Sequence, residues 1–232
     1  MRKPTRQYDL LLFDLDNTVL DFAHCEVHVL LQTFQNYGWN LTEKQVHQYL
    51  EINERNWKAF EQGSKTQAET VVDRFAEFCG YLGTTIPPGQ LNRDYLSALG
   101  KCAIFEPYAE EVLGALRNRG YLMSILTNGL RAVQQGRFNH ARLDRFFDYM
   151  ITIDEAGVAK PNRAIFDYAL RQYEIPSDRV VYIGDHWDID MVGATNACID
   201  GIHYIRHTPH QGHHEAKHVT QISSLDELLY LL

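Results

Sequence analysis

The chain has 232 residues, a formal net charge of −8 and a hydrophobic fraction of 45%. This length suits one large α/β domain, alone or with a smaller domain inserted into it. The acidic balance argues against a nucleic-acid polymer as partner, and no apolar stretch approaches the ~18 residues that a membrane span needs.

The four cysteines are spread over the chain without a Cys-x-x-Cys pair. This spacing is typical of reduced thiols in a cytosolic protein. The first apolar run is also too short for the apolar region of a secretory signal peptide. These observations predict a cytoplasmic protein. The cysteines are Cys25, Cys79, Cys102 and Cys198.

A short strand is the first predicted element, over the apolar run at residues 8–13. Consecutive apolar residues that end abruptly in polar ones are typical of a buried strand in a parallel sheet. The run opens into Asp14-Leu15-Asp16-Asn17-Thr18, and alternation along the extended chain points Asp14 and Asp16 to the same side. Carboxylates so close repel each other unless a cation or a shared proton relieves them, and Mg²⁺ suits such oxygen ligands. Taken alone, the string is equally consistent with a strand end followed by a turn.

Residues 22–99 carry helical periodicity and few strand signals. Gly38 and Gly63 are predicted to stop two of the helices, and Thr42 followed by Gln45 is a capping-box pattern that begins another. We therefore expect four helices between the first strand and the rest of the chain.

From Pro107 onward, helical and strand patterns alternate. This alternation predicts an α/β fold with a doubly wound parallel sheet and right-handed crossovers. The predicted core domain comprises residues 1–20 and 101–232, and the predicted helical domain comprises residues 21–100. Strands are expected at 121–126, 149–153, 180–183 and, as the last one, 201–205; helices are expected at 109–118, 130–140, 163–173 and 191–197.

The polar residues that follow the predicted strands form a candidate site. Because ligands of open α/β sheets bind at the carboxyl ends of the strands, these side chains are expected along one edge. Carboxylates suit Mg²⁺, while Lys160 and the neutral donors of Thr127 and Asn128 suit phosphoryl oxygens. Ordinary alternatives are a surface lysine in a turn for Lys160 and a helix N-cap for Asp185. The full set is Asp14, Asp16, Thr127, Asn128, Lys160, Asp185 and Asp190.

Four short strings occur in order at these positions: Asp14-Leu15-Asp16-Asn17-Thr18, Leu126-Thr127-Asn128-Gly129, Lys160-Pro161 and Gly184-Asp185-x4-Asp190. Together they resemble the four motifs of the haloacid dehalogenase (HAD) superfamily. The helical stretch lies where that superfamily places its smaller cap domain. The resemblance therefore implies a Rossmann-like core with an inserted four-helix cap.

Longer strings resemble the bacterial YjjG family of pyrimidine 5′-nucleotidases. They are residues 126–135, 157–162 and 165–170, with Asn53-x3-Trp57 in the helical stretch. That family hydrolyses pyrimidine nucleoside monophosphates. One departure is His186-Trp187, which is bulkier than the small polar residues expected after Gly184-Asp185 at the rim of the metal site.

The resemblance implies a Mg²⁺-dependent phosphomonoester hydrolase that works through an aspartyl-phosphate. Asp14 would be the nucleophile, and Asp16 the general acid and then the general base. The metal ligands would be the carboxylates of Asp14 and Asp185 and the backbone carbonyl of Asp16, with Asp190 acting through water or from a second shell. Lys160 would screen the repulsion between Asp14 and the phosphate.

Other functions stay open at this point. The alternative substrate is a small sugar phosphate or phosphoglycolate, and further alternatives are a phosphomutase and a catalytically idle binding module. The expected partner is a small-molecule phosphomonoester, and the expected assembly is a monomer or small homo-oligomer. The preferred base and sugar are not decided.

Two further features have competing interpretations. Phe22, Trp57 and Tyr108 are candidates to stack on a nucleobase, although aromatic residues at helical spacing more often belong to a core. Residues 203–218 hold six of the eleven histidines. Metal binding by this segment competes with a solvated loop, which Pro209 and Gly212 favour.

Overall fold

The structure is a computed structural model that describes residues 7–206 and 218–232. The chain divides into two compact units. The sheet unit comprises Met1–Phe22, Ala103–Arg131 and Ala141–Leu232, and the helical unit comprises Ala23–Cys102 and Ala132–His140. The helical unit thus includes residues 132–140, which the sequence analysis assigned to the core domain. Its role as a cap stays a prediction.

The sheet unit is built on a parallel sheet with six strands in the described residues. The strands are β1 (Leu10–Phe13), β2 (Leu122–Leu126), β3 (Tyr149–Ile151), β4 (Val180–Gly184), β5 (Asp200–Tyr204) and β6 (Val219–Ile222). Their order is β3-β2-β1-β4-β5-β6, and every neighbouring pair is parallel. This is the strand order of a doubly wound α/β sheet, so the predicted fold class is confirmed.

The predicted helices are present, and the four expected between residues 22 and 99 are α1 to α4. The helices of the described residues are α1 (Phe22–Asn36), α2 (Glu43–Glu61), α3 (Gln67–Leu82), α4 (Pro88–Leu99), α5 (Ala109–Asn118), α6 (Arg131–His140), α7 (Ile153–Ala156), α8 (Arg163–Tyr173), α9 (Val192–Asn196) and α10 (Leu228–Leu231). A π-helical turn, Trp187–Met191, precedes α9. That turn, α7 and α10 were not predicted, because elements of four or five residues are too short to show a clear helical period.

Strand β1 lies between β2 and β4, and all four of its residues are buried. Phe13 is in register with Ile125 of β2 and with Ile183 of β4. A strand buried on both faces carries no polar alternation, which is why its sequence is a continuous apolar run. The three strands end within one residue of each other, so the residues that follow them emerge at one edge of the sheet.

Strand β6 corrects the prediction that residues 201–205 form the last strand. It pairs with β5 from Gly201↔Val219 to Tyr204↔Ile222. It lies at the edge of the sheet, and only Ile222 of its four residues is fully buried. A short, half-exposed strand with polar residues at its centre carries little apolar signal, and tertiary pairing decides its conformation.

In the helical unit, a capping box begins α2 and a cluster of aromatic rings lies in the core. The backbone N–H of Thr42 donates to Oε1 of Gln45, and the backbone N–H of Gln45 donates to Oγ1 of Thr42, which confirms the predicted capping box. Four buried rings pack edge to face or tilted on one another, on Tyr49, Phe75, Phe78 and Tyr95.

A disulfide joins Cys25 of α1 to Cys102, which follows α4, with their Cα atoms 5.7 Å apart. The prediction of reduced thiols is therefore wrong for this pair. The two residues are 77 positions apart, and sequence spacing carries no information on a contact at that range. Cys79 is a buried free thiol and Cys198 an exposed one.

No helix within residues 7–206 and 218–232 is both long and apolar enough to cross a membrane. Of the histidine-rich segment, residues 207–217 lie outside the described residues. His203 is fully buried on β5, and Nδ1 of His218 lies 3.3 Å from a carboxylate oxygen of Asp200.

Candidate active site

The carboxyl edge of the sheet carries three of the predicted residues directly after neighbouring strands. Asp14 follows β1, Thr127 follows β2, and Asp185 follows β4. The backbone N–H of Asp14 donates to the carbonyl of Ile183, and that of Thr127 donates to the carbonyl of Ile151. The sheet ladder thus continues into these residues and fixes where their side chains begin.

Lys160 approaches this edge from the loop between α7 and α8, and Asn128 holds its backbone. The backbone N–H of Lys160 donates to Oδ1 of Asn128 over 2.8 Å. Nδ2 of Asn128 donates back to the carbonyl of Lys160 over 2.9 Å. This reciprocal pair makes Asn128 a positioning residue for Lys160. Its predicted binding of phosphate stays a prediction.

The ammonium group of Lys160 is surrounded by three oxygens. Nζ lies 2.5 Å from Oδ1 of Asp14, 2.7 Å from Oδ1 of Asp190 and 2.8 Å from the hydroxyl of Tyr182. The lysine side chain is 2% exposed. Burial alone would lower the pKa of Lys160, but the charges of Asp14 and Asp190 outweigh it and raise the pKa above its usual value. The group is therefore a buried cation.

Asp190 reaches this position because Gly184 leaves room for it. The backbone N–H of Asp190 donates to the carbonyl of His186, and the backbone N–H of His186 donates to Oδ2 of Asp190. A Cβ on Gly184 would lie 2.6 Å from Cγ and 2.9 Å from Cβ of Asp190. Any larger residue at position 184 would therefore displace the carboxylate that pairs with Lys160.

The carboxylates of Asp14, Asp185 and Asp190 form a cluster whose ligand atoms all lie within 4.8 Å of one another. Burial raises the pKa of Asp14 to about 7, and the charges of Asp190 and Asp16 add to the rise while Lys160 opposes it. Burial and the charges of Asp14 and Asp190 also raise the pKa of Asp185 well above its usual value. One lysine does not balance the charge of three ionised carboxylates. The repulsion among them would be relieved by a hard divalent cation such as Mg²⁺, for which carboxylate oxygens are suitable ligands.

Asp16 and Thr127 follow β1 and β2 at the same edge of the sheet. Asp16 pairs with Leu20 in a bridge, and the backbone N–H of Asn17, whose φ is 56°, donates to the carbonyl of Leu20. This tight turn follows the apolar strand, as the strand-end-and-turn interpretation expects, and metal binding by the motif stays a prediction. Thr127 is buried, and its hydroxyl oxygen accepts from the backbone N–H of Gly129 over 3.0 Å.

The three candidate base contacts occupy separate elements. Phe22 is the first residue of α1 and is partly exposed. Tyr108 precedes α5 and is 55% exposed, with a φ of 65°. Trp57 lies on α2 of the helical unit and packs edge to face on Phe60, with ring centroids 5.7 Å apart. Their contact with a substrate stays a prediction.

Two buried side chains of this region were not among the predicted site residues: Tyr182, and His203, which the sequence analysis counted only with the histidine-rich segment. The hydroxyl of Tyr182 accepts from Lys160 and lies 3.0 Å from Oδ1 of Asp190 and 3.1 Å from the carbonyl of Leu126, its two possible acceptors. Nε2 of His203 lies 3.0 Å from the carbonyl of Asp185. The available signal was a polar group inside an otherwise apolar strand, which needs a partner when it is buried.

Comparison with known proteins assigns the chain to a family. A family model described as haloacid dehalogenase-like hydrolase matches residues 11–204. The pyrimidine 5′-nucleotidase YjjG of Escherichia coli K12 is 32% identical over 227 residues, which cover 97% of this chain and 98% of that protein. The pyrimidine 5′-nucleotidase PynA of Streptococcus pneumoniae is 28% identical over 225 residues, 96% and 94% of the two chains.

A solved structure is similar over the same extent. It is the protein assigned as HAD-hydrolase YfnB from Bacillus subtilis, bound to magnesium, with a TM-score of 0.89, 26% identity and coverage of 97% of this chain and 99% of that one. The sheet order, the four motifs at its carboxyl edge and these matches over nearly the whole length agree. The chain belongs to the haloacid dehalogenase-like hydrolase family.

Proposed function

We propose that this hydrolase is a Mg²⁺-dependent 5′-nucleotidase that acts on pyrimidine nucleoside monophosphates through an aspartyl-phosphate on Asp14. The observation that carries the chemistry is the buried cluster in which Lys160 pairs with Asp14 and Asp190 beside Asp185. The two similar proteins named as pyrimidine 5′-nucleotidases support the substrate class.

In the first half of the reaction, a carboxylate oxygen of Asp14 attacks the phosphorus, and the bond from phosphorus to the nucleoside oxygen breaks. Asp16 gives its proton to the departing oxygen. In the second half, Asp16 takes a proton from water, whose oxygen attacks the phosphorus and releases Asp14. The positive charge of Lys160 offsets the repulsion between Asp14 and the phosphate dianion in both halves.

The metal ligands in this proposal are the carboxylates of Asp14 and Asp185 and the backbone carbonyl of Asp16. When bound, Mg²⁺ would supply positive charge to the phosphoryl oxygens. Asp190 would act on the site through Lys160, with which it forms a direct ion pair. Thr127 and Asn128 follow β2 at the same edge and are the proposed neutral phosphate donors.

The proposed base contacts are Phe22, Trp57 and Tyr108. If one of them stacks on the nucleobase, its replacement by alanine raises KM for a pyrimidine nucleotide and leaves KM for a hexose phosphate unchanged, because a hexose phosphate carries no aromatic ring. Equal changes for both substrates would assign the residue to the structure. A cytoplasmic location and a monomer or small homo-oligomer complete the proposal, and cell fractionation and sedimentation of the pure protein test them.

The decisive experiment is phosphate release from a panel of phosphomonoesters with Mg²⁺, using Asp14→Asn as control. The panel holds dUMP, dTMP, UMP, AMP, dGMP, phosphoglycolate and hexose phosphates. We expect fastest turnover of pyrimidine nucleotides, abolished by chelation and by Asp14→Asn. A preference for a sugar phosphate or phosphoglycolate would overturn the proposed substrate class alone. Isomerised product without free phosphate would indicate a phosphomutase. Phosphate release by Asp14→Asn would overturn the assignment of Asp14 as the nucleophile.

A further inference from the structure

His203 is a buried histidine of β5 that contacts the backbone of a proposed metal ligand. Its side chain is fully buried, and its Nε2 lies 3.0 Å from the backbone oxygen of Asp185. A carbonyl oxygen can only accept, so Nε2 carries the proton and donates. Nδ1 is then an acceptor in the neutral ring, and Nε2 of Gln221 on β6 lies 3.5 Å from it as a donor.

The contact begins where the backbone pairing of the two strands ends. Gly184↔His203 is the last pair between β4 and β5, so the carbonyl of Asp185 lies one residue beyond it. The histidine side chain therefore supplies the hydrogen bond that the ladder no longer provides. Since the carboxylate of Asp185 projects from this same residue, the direction of its backbone sets where the carboxylate lies.

The ring of His203 also contacts Trp187, one of the two bulky residues that depart from the family pattern. The two rings meet edge to face, with centroids 5.4 Å apart and an interplanar angle of 64°. Trp187 begins the π-helical turn that ends at Met191 and carries Asp190. One buried imidazole thus contacts the segment from Asp185 to Asp190 both at its start and at the first residue of its turn.

We propose that His203 is a positioning residue that holds Asp185 in place for Mg²⁺ through its hydrogen bond to the Asp185 carbonyl. The inference rests on the proposed Mg²⁺ site. Groups that orient metal ligands from behind commonly change metal affinity by about 10–100-fold when they are replaced. The donor acts on the backbone of the ligand, so its effect appears in metal affinity before any chemistry takes place.

Three substitutions separate the hydrogen bond from the packing of the ring. His203→Gln keeps an N–H at nearly the distance of Nε2 from the backbone. His203→Asn is one methylene shorter, so its amide falls short of the Asp185 carbonyl. His203→Phe keeps an aromatic ring against Trp187 but has no donor. Comparison of Gln with Asn therefore tests whether the N–H must reach the Asp185 carbonyl. Comparison of Gln with Phe tests whether an N–H is needed at all.

The experiment is calorimetric titration of the full chain with Mg²⁺, with the thermal unfolding midpoint in EDTA as the measure of folding. We expect His203→Asn and His203→Phe to weaken Mg²⁺ binding by about tenfold or more, and His203→Gln to bind close to the unchanged protein. If only one of the variants His203→Asn and His203→Phe yields folded protein, that variant alone is compared with His203→Gln.

Two results would overturn the inference alone. One is unchanged Mg²⁺ affinity in a folded Asn or Phe variant, and the other is an equal loss in the Gln variant, which would assign the effect to ring shape. Absence of Mg²⁺ binding by the unchanged protein would overturn the proposed metal site together with this inference. The two failures are therefore distinguishable.

Discussion

Nζ of Lys160 lies 2.5 Å from Oδ1 of Asp14, a residue 146 positions away in the sequence. Both side chains are buried, at 2% and 10% exposure. The remaining ammonium donors meet Asp190 and Tyr182, so each of the three N–H groups has an acceptor. The cation thus compensates the proposed nucleophile, and it opposes the rise that burial causes in the pKa of Asp14.

Replacement of Lys160 is the most direct test of this arrangement. Lys160→Met removes the charge at similar length, and it leaves two buried carboxylates without their cation. We expect loss of activity and a fall of about 3–5 kcal/mol in the free energy of unfolding measured by urea denaturation. The control is Arg163→Met, which breaks a largely exposed pair with Asp167 one helical turn away and should cost about 1 kcal/mol or less. Equal losses of unfolding free energy in the two variants would contradict the explanation that burial of the carboxylates makes the loss of Lys160 costly.

Asp16→Asn tests the proposed proton donor through the leaving group. A nucleoside alkoxide needs a proton to depart, whereas p-nitrophenolate does not. Because Asp16 is also the proposed base of the second half-reaction, which both substrates share, the comparison is made on the first half, as release of the alcohol in a single turnover. We expect nucleoside release to slow by about 10²–10⁴-fold and p-nitrophenolate release to slow far less. Equal losses in this step would show that Asp16 does not protonate the leaving group.

The raised pKa of Asp14, about 7, predicts pH-dependent metal binding. Below that pH the carboxyl holds a proton that Mg²⁺ must displace, so apparent affinity should rise from pH 6 to pH 8, with protons released on binding. The same raised pKa also makes the free energy of unfolding of the metal-free protein depend on pH. A carboxyl whose folded-state pKa is raised stabilises the metal-free fold at low pH, and this contribution is lost as pH rises through about 7.

Thermal unfolding in EDTA and in Mg²⁺ across this pH range measures both effects. The stabilisation by Mg²⁺ should grow with pH, and Asp14→Asn should flatten that growth because it removes one of the titrating ligands. Metal affinity that does not change between pH 6 and pH 8 would contradict the prediction.

Gly184→Ala tests the close approach of Asp190 to the end of β4. The added Cβ would lie 2.6 Å from Cγ of Asp190, so the carboxylate must move away from Lys160. We expect lower activity and a loss of about 1–3 kcal/mol of stability, as for other overpacked sites. Gly80→Ala in α3 is the control, since beyond its chain neighbours and its own helix backbone nothing lies within 4 Å of the added Cβ. It should stabilise the protein by about 0.5–1 kcal/mol, and a similar loss in both variants would contradict the explanation.

The Cys25–Cys102 bond closes a separation of 77 residues within the helical unit. Replacing both cysteines by serine should lower the free energy of unfolding by about 2–4 kcal/mol, because the open chain gains conformational entropy when it unfolds. Urea denaturation followed by circular dichroism measures this. Cys198→Ser, at an exposed free thiol, should change it by about 0.5 kcal/mol or less. Four free thiols in the native protein would show that the bond does not form.

Local patterns were sufficient for the fold class and the members of the first motif. The apolar run of β1 predicts a strand because a strand buried on both faces needs no polar side chain. Asp14 and Asp16 come directly after this strand, so their position at the carboxyl edge of the sheet also follows from the local sequence. The capping box at Thr42 likewise depends only on residues three positions apart.

Tertiary structure alone decided which distant groups meet. The hydroxyl of Tyr182 on Lys160, the imidazole of His203 on Asp185 and the bond between Cys25 and Cys102 join residues 18 to 77 positions apart. The local sequence around each of these side chains predicts the same strand or helix whether or not the contact forms, so it carries no signal of the contact. For Tyr182 and His203 burial decides the contact, because a polar group removed from water must find a partner within reach. For the two cysteines the packed fold decides it, because the fold brings their Cα atoms to 5.7 Å, a distance that a disulfide can span.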